Sequence, residues 1–107
     1  MRWLYDTNIV SELIKPDGNK VVAGWISQQD TIHLSVITVE EIFWGLACKE
    51  AHRQTEWFEK FIELRCEILP VTVSIALKAG ILRGEFRQKG IIRTQADLLI
   101  AATAIEN

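Results

Sequence analysis

Three acidic residues stand where ordinary surface charge is not expected. Asp6 follows the short apolar run Trp3-Leu4-Tyr5 and is followed at once by Thr7-Asn8. Glu41 lies in Ser35-Val-Ile-Thr-Val-Glu-Glu-Ile-Phe-Trp-Gly45, just after a strand-like segment, and Asp97 lies in Thr94-Gln-Ala-Asp-Leu-Leu-Ile-Ala-Ala-Thr-Ala104, an otherwise apolar stretch. Stripping water from an ionised carboxylate costs several kcal/mol, so an acid at the end of a buried strand is normally paired, capping a helix or holding a metal. In open α/β sheets the carboxyl ends of the strands are where ligands bind.

Each acid also has a plain structural account. Thr38 to Glu41 and Thr94 to Asp97 fit the spacing of a capping box, with the acid at the third helical position. Taken together the three ask for more. All would lie at or near helix N-termini, where the macrodipole favours negative charge by ~0.3–1 kcal/mol, and two would follow strands of one parallel sheet. They can therefore converge on one point. Carboxylates brought together repel and raise one another's pKa, so the set is stable in ionised form mainly when a divalent cation neutralises it. Oxygen-only donors suit Mg2+ or Mn2+, not zinc, and no His/Cys cluster competes. Such a site supports attack of activated water on a phosphodiester.

The elements that must position these acids read as alternating strands and helices. Arg2 to Tyr5 is a short strand, and Ile9 to Lys15 a short helix stopped by Pro16. Asn19 to Gln29 is a second helix, with Val21, Val22, Trp25 and Ile26 on its apolar stripe; Thr31 to Val36 is a strand in which Ile32, Leu34 and Val36 alternate. Thr38 to Cys48 and Ala51 to Arg65 are helical, the latter turning Trp57, Phe58, Phe61, Ile62 and Leu64 inward. Glu67 to Val71 is a third strand, Thr72 caps a helix that runs to about Lys89 and ends at Gly90, and a last helix starts near Gln95. Strands separated by helices imply a three-layer α/β fold, a mostly parallel sheet flanked by helices.

Bulk properties narrow the function classes. At 107 residues and 49% apolar content the chain fits a single domain spanning 1–107. A net charge of −2 argues against a surface that is basic throughout, so any polyanion partner must be met locally. Lys78, Arg83, Arg87, Lys89 and Arg93 supply such a local face, and a basic face beside an acidic pocket suits a ribonuclease. The same residues also read as an ordinary solvated helix face. Cys48 and Cys66 lack metal-type spacing and read as reduced, partly buried thiols of a cytoplasmic protein. No apolar run approaches the ~20 residues needed to span a bilayer. Trp25 and Trp57 read as core; Trp44 either packs beneath the acidic site, the favoured reading, or presents its ring to a base; His33 and His52 have no partner at catalytic spacing.

Leu4-Tyr5-Asp6-Thr7-Asn8, Ile37-Thr38-Val39-x-Glu41 and Ala96-Asp97-Leu98-Leu99-Ile100-Ala101-Ala102-Thr103-Ala104, in this order, resemble the PIN-domain family, in particular VapC-type toxins. The resemblance runs along the whole chain. It implies a Mg2+- or Mn2+-dependent endoribonuclease with Asp6, Glu41 and Asp97 as metal-binding acids and Thr7 and Asn8 in support. It also implies an RNA substrate, a cognate antitoxin and a homodimer, and it selects Glu41 over Glu40. RNA-binding residues are expected at Arg83, Arg87, Lys89 and Arg93. VapC-type domains continue into a further strand, a turn with a fourth acid and a final strand. Here the sequence stops at Asn107, so the C-terminal strands are expected to be absent. The alternative that follows is a catalytically impaired module that binds an antitoxin or itself. A phosphatase with Asp6 as nucleophile is disfavoured, because Asn8 replaces the second Asp of its Asp-x-Asp pattern.

Overall fold

The computed structural model describes residues 4–107, so Arg2 and Trp3 of the expected opening strand lie outside the described residues. Leu4 forms a parallel bridge with His33, and the Tyr5 N–H donates to the His33 carbonyl at 3.2 Å. Strand β1 (Ile32–Ser35) runs parallel to β2 (Cys66–Leu69), in register from Ile32 opposite Cys66 to Ser35 opposite Leu69. Among the described residues the order across the sheet is therefore the Leu4 segment, β1, β2. Parallel neighbours require crossovers, and helices supply them.

Those helices are α1 (Thr7–Ile14), α2 (Lys20–Ser27), α3 (Val36–Cys48), α4 (His52–Arg65), α5 (Val73–Gln88) and α6 (Gln95–Glu106). The fold is a helix-rich α/β arrangement on a small parallel sheet, in agreement with the sequence reading of its class. No helix among the described residues is long and apolar enough to cross a membrane.

Local chemistry sets the helix ends. Asn19 accepts from the N–H groups of Val21 and Val22 and caps α2; Thr72 accepts from Ile75 N–H and caps α5. At the far end of α5, Gly90 takes φ +77°, its N–H bonds the Arg87 carbonyl, and Ile91 N–H reaches the Phe86 carbonyl. This is a Schellman closure, which turns Ile91 and Ile92 back towards the helix. Arg65, the last residue of α4, donates to the carbonyls of Ile26 and Gln29 and so ties the end of α4 to the end of α2 and the turn after it.

Two apolar clusters hold the molecule. The larger joins Tyr5, Val10, Ile26, Ile32, Leu34, Ile42, Leu46, Phe58 and Phe61, and so ties α1 to α4 to the sheet. The smaller, Ile75, Ala79, Leu98 and Ala102, locks α5 against α6.

Several residues read as core are not. Trp25 is half exposed and tilts against Tyr5, Trp57 is 44% exposed and stacks on Phe61, and Leu64, Val21 and Val36 face outward. Trp44 is 68% exposed, which overturns its reading as packing beneath the site. Cys48 is exposed, not partly buried, whereas burial pushes the Cys66 thiol up to about 11. The Thr38 hydroxyl is fully buried and has no hydrogen-bond partner among the described residues.

Gly18 sits in the α1–α2 connection, where a Cβ would lie 1.8 Å from the Glu12 carbonyl oxygen. Backbone meets backbone there, so no side chain can give way. Gly18→Ala is expected to destabilise the fold by roughly 1–3 kcal/mol, read as a lower urea midpoint at unchanged slope.

Candidate functional site

Each of the three acids is carried by a different helix. Asp6 is the N-cap of α1, its Oδ1 accepting from Ile9 N–H at 2.9 Å. Glu41 lies in the second turn of α3. That helix begins at Val36, capped by the Ser35 hydroxyl, so Thr38 is not the cap and the Thr38–Glu41 capping box does not form. Ser35 wins because the strand ends there. Asp97 lies in the first turn of α6, where Thr94 Oγ1 accepts from Asp97 N–H at 3.1 Å, so the Thr94 cap forms as read.

The fold brings Asp6, Thr7, Asn8, Glu41 and Asp97 around one open hollow of about 400 Å³, closed on one side by Ile100 and Ala101. Asp6 and Asp97 are exposed and Glu41 is half-buried. The expected burial cost at Asp6 is therefore not incurred, because its carboxylate stays in water at the helix start. Glu41 is held in place by Thr7, whose hydroxyl donates to Glu41 Oε1 at 2.6 Å across 34 residues of sequence.

The acids share a hollow but do not meet at one point. Among the described residues no three His, Cys, Asp or Glu stand close enough to grip one ion together. The expectation of convergence is corrected to that extent. One reason is local: Asp6 is engaged by the α1 N-terminus and Glu41 by Thr7, so both are oriented before any ligand enters. The donor set still fits a hard cation, since every candidate donor is an oxygen or an amide. Mg2+ in particular keeps several waters and takes only one or two carboxylates directly.

Two further hollows carry cationic side chains. Arg83, Arg87 and Arg93 surround a hollow of about 380 Å³ with Ile91 and Ile92, formed where the Schellman turn folds the chain back; Lys89, read with them, does not line it. No described carboxylate pairs with any of these three arginines, and Arg93 lies 6.0 Å over the Phe86 ring. The second hollow, about 130 Å³, opens between α1 and α3 and shares Thr7 and Glu41 with the acidic one. Its lining by Lys15 and Lys49 escaped the sequence reading, although Thr7, Ser11, Lys15 and Glu41, Gly45, Lys49 each repeat at four residues, the spacing of one helix face.

The PIN-domain family profile matches residues 4–107. A VapC ribonuclease of Sinorhizobium fredii is 33% identical over 108 residues, covering 94% of this chain and 77% of the relative. Ribonuclease VapC2 of Rickettsia felis is 31% identical, covering 98% and 80%. Among solved structures, VapBC2 of Rickettsia felis bound to a promoter DNA fragment superposes with a TM-score of 0.78 at 30% identity, over 98% of this chain and 80% of that one.

Proposed function

This chain belongs to the PIN-domain family, and we propose that its 107 residues act as one metal-dependent endoribonuclease domain, the toxin of a toxin–antitoxin pair. The observation that carries the reading is the shared hollow of Asp6, Glu41 and Asp97, at the positions the family motifs occupy. Relatives named VapC ribonuclease, and solved neighbours that are VapBC complexes, support it.

In this reading Asp6, Glu41 and Asp97 would hold Mg2+ or Mn2+. A bound divalent cation supplies Lewis acidity for in-line attack of water on phosphorus and offsets the charge of the transition state. The chain's own part is placement. Thr7 keeps Glu41 in one rotamer by its short hydrogen bond, and the α1 N-terminus does the same for Asp6, so ligand binding orders little that is not already ordered. Asn8 adds an amide to the wall of the hollow. The acidic hollow repels phosphates, and Arg83, Arg87 and Arg93, which have no carboxylate partner among the described residues, supply a field of the opposite sign.

The test is cleavage of single-stranded RNA by the purified chain with added Mn2+ or Mg2+ and with EDTA. Cleavage is expected with metal and absent with chelator; full activity in EDTA sinks the reading. The partner is a cognate antitoxin, and a homodimer is the expected assembly. Mixing with that antitoxin should suppress cleavage.

A further inference from the structure

The hollow between α1 and α3 continues the acidic site, and its lining is graded. On α1, Thr7, Ser11 and Lys15 follow one another at four-residue steps; on α3, Glu41, Gly45 and Lys49 do the same, and all six line this hollow. The first pair is the hydrogen-bonded Thr7–Glu41 wall shared with the acids. The middle pair is small, and a Cβ added at Gly45 meets nothing within 4 Å, so the floor is open. The last pair is cationic, each lysine being the C-cap of its helix.

Eight residues at 1.5 Å rise set the lysines about 12 Å beyond the Thr7–Glu41 wall. That spans roughly three or four phosphates of a stacked strand, at about 3.4 Å each. Lys49 has no carboxylate partner among the described residues, while Lys15 touches Glu12 at 3.1 Å in an exposed pair, a contact weak enough to be exchanged for a phosphate. The complementary field at a helix C-terminus explains why a lysine is stable at either position. It does not explain why both lysines point into one hollow that opens onto the acids.

We infer that the α1–α3 groove is a subsite for the RNA backbone, in which Lys15 and Lys49 grip a phosphate roughly three or four nucleotides from the bond that is cut. The inference rests on the ribonuclease reading for its substrate class. A strand running past Thr7 and Glu41 would have its scissile phosphate in the acidic hollow and a distal one between the lysines.

The experiment measures binding and requires no turnover. The full chain carrying Asp97→Asn is titrated in EDTA with a labelled single-stranded RNA of roughly ten nucleotides, at several salt concentrations. The Lys15→Gln, Lys49→Gln double variant is expected to bind about tenfold more weakly near 0.1 M salt, with a log–log salt slope shallower by about 1.4, two contacts at ~0.7 each. Gly45→Glu, which puts a carboxylate on the open floor, should give a similar loss of affinity. In the active background the lysine variants should raise KM on the long RNA with kcat preserved, and leave a dinucleotide substrate unaffected. Unchanged affinity and slope in the double variant overturn the subsite, as does a double variant that loses antitoxin binding while keeping RNA binding, which would assign the groove to a peptide. Absence of any metal-dependent cleavage by the wild type would instead overturn the hydrolytic reading, and the salt slope would still decide the groove.

Discussion

Asp97→Asn is expected to lower metal-dependent RNA cleavage by about a hundredfold or more while changing folding stability by no more than about 1 kcal/mol. The two halves of this expectation have separate origins. The Asp97 side chain is exposed, and the hydrogen bond at its position runs from its backbone N–H to Thr94, so an amide of the same shape leaves the cap intact. What disappears is one negative charge facing the hollow. Asp6→Asn and Glu41→Gln complete the series, because asparagine caps a helix as well as aspartate does and the glutamine carbonyl can still accept from Thr7. Each variant therefore removes charge and keeps geometry. Turnover for Asp97→Asn within threefold of wild type would remove it from the site. A partial rescue by higher Mn2+ concentration would mark the lost group as a metal ligand and not a structural support.

The acids were legible because each interrupts a local pattern, and the patterns are short. Asp6 breaks an apolar run and caps α1, and Asp97 opens an apolar helix in its first turn, so a window of a few residues contains their signal. Glu41 was legible only through its motif. Its helix is capped by Ser35, three residues before the Thr38 that the capping-box spacing selects, and nothing local distinguishes two hydroxyl residues that close. The Thr7–Glu41 bond joins residues 34 apart, so no spacing rule could have given it. The exposed tryptophans have a different cause. Trp57 and Phe58 are adjacent, a helix turns about 100° per residue, and only Phe58 can point at the core centre. Trp57 then lies along the margin, stacked on Phe61, apolar in type but half in solvent. Hydrophobic periodicity identifies the face of α4, not its edge.

Phe58→Ala is expected to cost about 3–5 kcal/mol, a large share of the ~5–15 kcal/mol that holds a domain together. Phe58 is fully buried, its ring 5.2 Å from Phe43 and 6.4 Å from Phe61, in the cluster that joins α1 to α4 to the sheet. Phe43 lies two residues after Glu41 on α3, so the cavity opens directly behind the helix that carries one of the acids. For a chain of this length the thermal midpoint should fall by at least about 12 °C. The α5–α6 pair tests whether the fold is one cooperative unit. Its own cluster has four buried residues, two of them alanine, with Val71, Leu82, Phe86 and Leu99 only partly buried around them, too little apolar area to keep two helices folded alone. Tryptophan fluorescence reports the larger cluster's surroundings, since Trp25, Trp44 and Trp57 lie on α2, α3 and α4, whereas circular dichroism reports all the helices. Both signals should move to the same lower midpoint in Phe58→Ala. A dichroism transition that splits in two, one part following the fluorescence and the other left at the wild-type midpoint, would show that α5 and α6 stand independently, and Asp97 would then be carried by a unit that does not fold with the one carrying Asp6 and Glu41.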